Sequence, residues 1–126
     1  MNCDASMFAD ISSYVAGWQQ RELKECQELE TRRQHAVEEA KIIARFLGET
    51  IGARQVIGIG SAFDPERFSR RSDIDLVAFG LPKDRYFSIL SQIMLITNFE
   101  VDLVPYESAS ALLKQRVAEE GVQLWP

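Results

Sequence analysis

Gln55-Val56-Ile57-Gly58-Ile59-Gly60-Ser61 and, after eleven intervening residues, Asp73-Ile74-Asp75-Leu76-Val77-Ala78-Phe79 carry the reading of this chain. Both runs are rich in β-branched and aliphatic residues and are bounded by glycine or polar turns, the pattern of buried strands. Carboxylates are unwelcome there, because burying an unpaired charge costs several kcal/mol. A third strand-like run, Phe99-Glu100-Val101-Asp102-Leu103-Val104, carries two more, Asp102 between aliphatic neighbours and Glu100 near its start. Several carboxylate oxygens around a divalent cation would offset that cost, which points toward phosphoryl or nucleotidyl transfer.

Strand alternation places Asp73 and Asp75 on one face and turns Ile74 and Leu76 toward a helix layer on the other. Their backbone separation is about 7 Å, which lets both side chains reach one or two cations. Asp102 completes the set if its strand lies beside Asp73–Phe79, with Glu100 on the same face as a competitor. Gly60 lets a phosphate approach the backbone, and Ser61 adds a hydroxyl. Gly-Ser alone is usually a plain turn, and Asp-x-Asp alone is weak. The information lies in their order along the chain.

Around this centre the 126 residues, 46% of them hydrophobic, are enough for one domain with its own core. No proline interrupts Ile11–Leu47, and apolar residues recur at helical spacing, so a long helix or two successive helices are expected. A continuous helix would reach roughly 50 Å and project from so small a domain. Gly17 is the expected break, and the Trp18 region the expected surface for self-association or a partner. Arg21 with Glu25, Lys24 with Glu28 and Glu28 with Arg32 are candidate ion pairs on its exposed face. Gly48 fits the helix C′ position.

Further along, Lys83–Thr97 is expected to be helical, with Phe87, Leu90, Ile93, Met94 and Ile96 on the buried side. Ser108 is a candidate N-cap for a helix to Glu120, with Leu112, Leu113 and Val117 facing inward and Gly121 at C′. Val122–Leu124 would be a last short strand. The expected fold is α+β, in the order α-β-β-α-β-α-β.

A net charge of −5 argues against a nonspecific grip on nucleic acid. Arg67, Arg70 and Arg71 nevertheless cluster just ahead of Asp73, as a metal-bridged polyanion would require; the plain alternative is a solvated loop paired with Asp64 and Glu66. Cys3 and Cys26 have no metal-type spacing and no secretory signal precedes them, so a reduced cytoplasmic protein without a membrane span is expected. Gly58-Ile59-Gly60 lacks the third glycine of a dinucleotide fingerprint, and no P-loop lysine follows. His35, the lone histidine, has no companion ligand.

The ordered set Gly60-Ser61, Ser72-Asp73-Ile74-Asp75-Leu76 and Val101-Asp102-Leu103-Val104 strongly resembles the minimal nucleotidyltransferases (MNT) of the polymerase-beta-like superfamily. The long leading helix and the tail Glu119–Leu124 extend the resemblance to nearly the whole chain. It implies the polymerase-beta-like fold: a small mixed sheet packed by helices, in one domain over 1–126, with a helical extension over about 1–47 and a catalytic core over 51–126. It implies two Mg²⁺ ions held by Asp73, Asp75 and Asp102, and an NTP, ATP above all, whose phosphates meet Gly60, Ser61, Arg70 and Arg71. Asp102 would also activate the acceptor hydroxyl. Many such proteins resemble antitoxins that move AMP onto a HEPN-domain toxin, so a HEPN protein is the implied partner and a hydroxyl of that partner the implied acceptor. With no second domain to hold a small acceptor, a macromolecular one fits better. The alternatives are a noncatalytic binding module of the same fold and transfer to a small molecule. The chain departs from the family in the loop after Gly60-Ser61, where Ala62-Phe63-Asp64-Pro65 stands in place of an early arginine, and activity of this nucleotidyltransferase type (EC 2.7.7) turns on whether Arg67, Arg70 or Arg71 replaces it.

Overall fold

Alternating burial along two strands sets the layers of the computed structural model, which describes residues 13–126, with side chains from residue 19. Ile74, Leu76 and Ala78 of β2 (Ile74–Phe79) point into the main core, while Val77 points to the opposite face. β1 (Gln55–Ile59) pairs antiparallel with β2, β3 (Val101–Pro105) pairs parallel with β2, and β4 (Val122–Trp125) closes the far side of β1. The sheet is therefore mixed, in the order β3-β2-β1-β4. The fold is α+β, with the long leading helix that the sequence requires.

That helix, α1 (Ser13–Phe46), is continuous through Gly17. A single glycine costs about 1 kcal/mol in a helix, too little to break one of 34 residues. Ala36, Ala40, Ile43, Ala44 and Leu47 are buried against the sheet, small residues alternating with large ones so that the helix lies close. From Gln20 to Glu28 only Cys26 is buried, so this half of the helix carries mostly exposed side chains. Cys26, expected to be reduced, is disulfide-bonded. The side chain of Trp18 lies outside the described residues. The helix-surface ion pairs that form are Arg33–Glu30, Lys41–Glu38 and Arg45–Glu49, further along than the three expected.

The C-terminus of the helix also differs from expectation. Leu47–Ile51 continues it as a wider π-helical turn, in which the N–H of Gly52 donates to the carbonyl of Leu47. The left-handed residue is Gly52, at φ 94°, and not Gly48. Gly48 has a packing role instead: a Cβ there would overlap the indole of Trp125.

α2 (Tyr86–Ile96) buries Ile89 and Ile93, but Phe87 and Met94, expected inside, are 81% and 76% exposed. Apolar residues surround this helix on nearly every side, so periodicity alone does not fix its phase. α3 (Ala111–Glu120) is capped by Ser110, whose hydroxyl accepts from the N–H of Leu113, and not by Ser108. Leu113 and Val117 pack on Ile57, Ile59 and Val77, whereas Leu112, expected inward, is 70% exposed. Gly121 ends α3 in an extended conformation, without the left-handed turn of a glycine C′. α1 and α2 thus cover one face of the sheet and α3 part of the other. No described helix is long and apolar enough to cross a membrane.

Because the Trp125 ring rests on Gly48, Gly48→Ala is expected to destabilise the fold by about 1–3 kcal/mol, as overpacking does. A thermal melt checks this; an unchanged midpoint would show that β4 docks without that contact.

Candidate functional site

The site is built where β1 ends and β2 and β3 begin. Asp75 is the direct register partner of Ile59 on one side and of Asp102 on the other. Adjacent strands lie about 4.8 Å apart, and register partners project to the same face, so the Asp75 and Asp102 side chains are neighbours. Asp73 falls just before β2, whose ladder begins at Ile74, one residue later than the sequence suggests. Asp73 and Asp102 are exposed and Asp75 is partly buried. The expected adjacency of the second and third strands therefore holds, and it brings the three aspartates to one end of one sheet face.

Gly60 determines how Asp75 sits. Its φ of 84° is open to glycine and strained for other residues, and a Cβ built on it would lie 2.5 Å from Asp75 Oδ2. The room left by the missing side chain, which the sequence suggests a phosphate would use, is occupied by this carboxylate. Ser61 then opens a short 3-10 turn, Ser61–Phe63, and its hydroxyl donates to Ser72 Oγ at 2.8 Å. Ser72 Oγ also accepts from the N–H of Ser69 at 2.9 Å, so the loop between the strands closes back on the residue beside Asp73.

Burial pushes the Asp75 carboxyl above the ordinary aspartate range; the negative charges of Asp102 and Asp73 add to this, and Arg116 opposes it. None of the three aspartates has an ion-pair partner among the described residues. Those residues contain no ready-made group of three or more His, Cys, Asp or Glu side chains that would hold a metal. The donors that do meet, two neighbouring carboxylates with a third close in sequence, are all oxygen. That suits Mg²⁺, which commonly takes one or two carboxylates and completes its shell with water and substrate phosphate.

The arginines divide. Arg67 reaches Glu120 of α3 at 3.6 Å, and Glu120 also binds Arg116 at 3.0 Å, so an ion-pair relay ties the loop to α3. The expected pairing of this loop with its own Asp64 is not what forms; Asp64 Oδ1 instead accepts from the N–H of Glu66. Arg70 and Arg71 are exposed and border a cavity beside Asp73. Three basic residues near the site escaped the sequence reading. Arg33 of α1, held by Glu30 at 2.8 Å, donates to the carbonyl of Ala62 and so supports the loop from below. Arg32 borders the same cavity as Arg70 and Arg71. Arg116 acts on Asp75 from α3; its spacing from Leu113 puts it beside the inward stripe, the one signal that could have revealed it.

A raised pKa means that the fold holds the Asp75 proton where the unfolded chain has released it. Stability of the metal-free protein should therefore fall as pH rises from the ordinary aspartate range through the raised value. Asp75→Asn is expected to melt at the same or a higher temperature near neutrality, with its advantage shrinking on acidification. Melts of both proteins across that range check it, and a large loss in the variant would mean that the carboxylate is structural.

No known family model and no curated relative matches the chain. Solved structures do. A toxin–antitoxin complex with AMP-PNP aligns at 29% identity and TM-score 0.56, covering 69% of this chain and 72% of that one. A mutant MntA–HpeT toxin–antitoxin complex aligns at 27% and 0.56 over the same shares of the two chains. A tri-AMPylated Shewanella oneidensis HEPN toxin in complex with its MNT antitoxin aligns at 26% and 0.51, over 74% and 71%. With its mixed sheet and long leading helix, the chain is thus similar, in fold and at a modest level in sequence, to the MntA and MNT antitoxin complexes with their toxins.

Proposed function

We propose that this chain is a nucleotidyltransferase-type antitoxin that moves AMP from ATP onto a hydroxyl of a HEPN-domain partner. The observation that carries the reading is Asp75: a carboxylate lodged against Gly60, register partner of Asp102 and unpaired by any described cation. A fold that keeps neighbouring carboxylates without counterions is prepared for a bound cation and its phosphate ligands. The similar structures support the donor and the acceptor class, since one is a complex with AMP-PNP and another contains an AMPylated HEPN toxin with an MNT antitoxin.

In this reading Asp73, Asp75 and Asp102 would hold Mg²⁺, which supplies charge neutralisation on the phosphates and acidifies the acceptor hydroxyl. Gly60 keeps the strand end clear so that Asp75 stays in place, and Ser61, whose hydroxyl rests on Ser72, would turn it to the phosphate when nucleotide binds. Arg70 and Arg71 face the negative charge of the triphosphate. Asp102, exposed at the start of β3, takes the acceptor proton. The acceptor oxygen bonds to the α-phosphorus as the bond from that phosphorus to the α–β bridging oxygen breaks, and pyrophosphate leaves.

The chain incubated with α-labelled ATP, Mg²⁺ and a HEPN-domain toxin is expected to label the toxin. Asp102→Asn should slow transfer by at least about a hundredfold, the usual share of a positioned base, and Asp73→Ala should abolish it. Tight binding of the toxin without label would mean neutralisation by docking, and label on a metabolite would mean a small acceptor. Gly60→Ala should lose transfer as well, because its Cβ displaces Asp75; undiminished transfer would show that the carboxylate position is not needed.

A further inference from the structure

The three most exposed large hydrophobic side chains among the described residues, Phe87, Met94 and Leu95, all belong to α2. Phe87 and Met94 stand two turns apart on one face, with Leu90 between them and Leu95 at their flank. Tyr86–Ile96 contains no charged residue at all. A helix at a protein surface normally turns charge outward, so an apolar outer face marks a contact with another polypeptide.

The face is also prepared for burial. The Ser91 hydroxyl donates to the carbonyl of Phe87 at 3.0 Å, and Ser88 Oγ accepts from Gln92 Nε2 at 3.4 Å. Covering these side chains costs little, because each already has a partner on the helix itself.

Because β2 and β3 run parallel, α2 runs back antiparallel to β3, and the groove between them holds a cavity at each end. One, of about 530 Å³, is bordered by Phe87, Lys83 and Pro105. The other, of about 540 Å³, is bordered by Leu90, Ile93, Met94, Val101 and Glu100. An exposed ring and a cation mark the first end, an apolar hollow and an anion the second. Lys83 and Glu100 are both exposed, and neither has an ion pair among the described residues. A two-fold axis beside Ser91, midway between Phe87 and Met94, carries each of these features onto its complement.

We propose that α2 is a homodimer interface. Two copies of this chain pack their α2 helices antiparallel about that axis, the Phe87 ring of each entering the other's hollow at Leu90, Ile93 and Met94, and Lys83 of each facing the other's Glu100. A second copy is favoured over an unrelated partner because one surface carries both halves of the match, in shape and in charge. Opposed helix dipoles add to the fit. Asp75 and Asp102 project to the other face of the sheet, with Ile59 and Val77, so the pairing leaves the carboxylates open. Four large apolar side chains per copy amount to less than the roughly 800 Å² per partner of a standard interface, so the dimer is weak, with a Kd on the order of 10–100 µM.

Sedimentation velocity of the full chain from about 1 to 500 µM, at low ionic strength, tests this. The parent is expected to pass from monomer to dimer across that range. Phe87→Glu and Leu95→Glu, at positions already open to solvent, are expected to melt as the parent does and to weaken pairing by about tenfold or more. Lys83→Glu and Glu100→Lys should each weaken it severalfold, and the double reversal should restore it to within about threefold of the parent, which only a direct contact between copies explains. A parent that stays monomeric throughout, a dimer undiminished in the folded glutamate variants, or a double reversal no stronger than either single one would overturn the interface. So would a monomeric parent whose binding to a HEPN-domain toxin is lost in Phe87→Glu, which would give the face to the toxin.

Discussion

The contact between Gly60 and the Asp75 carboxylate is the constraint on which the site depends. The end of β1 must turn at a positive φ, leave no side chain in the way and admit an oxygen to where a Cβ would stand. Only glycine does all three without strain. The antiparallel register then fixes Asp75 opposite Ile59, and the parallel register of β3 places Asp102 beside it. A slip of one residue in either pairing would turn one of these carboxylates into the core and bring an aliphatic side chain onto the site face.

The rest of the fold keeps that register in place. On the core face, Ile74, Leu76 and Ala78 lie under α1 and α2, and Leu103 joins them from β3. On the other face, Leu113 and Val117 of α3 pack against Ile57, Ile59 and Val77, so α3 reaches the end of β1 beside the half-buried Asp75, while Asp73 and Asp102 stay exposed. The site thus lies at the margin of the α3 cover, with one carboxylate half-buried and two open to solvent. Two arginine-based supports, Arg33 on the carbonyl of Ala62 and the Arg67–Glu120–Arg116 relay, hold the intervening loop to α1 and α3. They are partly or well exposed, so each contributes little to global stability; they direct the loop.

Strand runs, their order and the carboxylate pattern were legible in the sequence because each is local. Alternation sets the face of Asp75, and hydrophobic runs bounded by Gly60, Gly80 and Pro105 set the strand limits within a residue or two. What escaped depends on long-range choices. α2 is apolar nearly all round, so the decision to bury Ile89 rather than Phe87 lies with the sheet. Ser110 and Ser108 are equally good caps until the turn before α3 selects one. Gly52 rather than Gly48 takes the left-handed position because Trp125, 77 positions after Gly48, needs the bare backbone. Arg32 and Arg116 lie at distant positions in the sequence and reach the site only through the packing of α1 and α3.

The central claim is that the carboxylate pair is an Mg²⁺-dependent nucleotide site rather than a structural oddity. Binding of AMP-PNP to the isolated chain, measured by calorimetry with and without Mg²⁺, tests it most directly. The account predicts binding that requires Mg²⁺ and is lost in Asp75→Asn while the variant remains folded. Equal affinity with and without the metal, or undiminished binding by the folded variant, would contradict it.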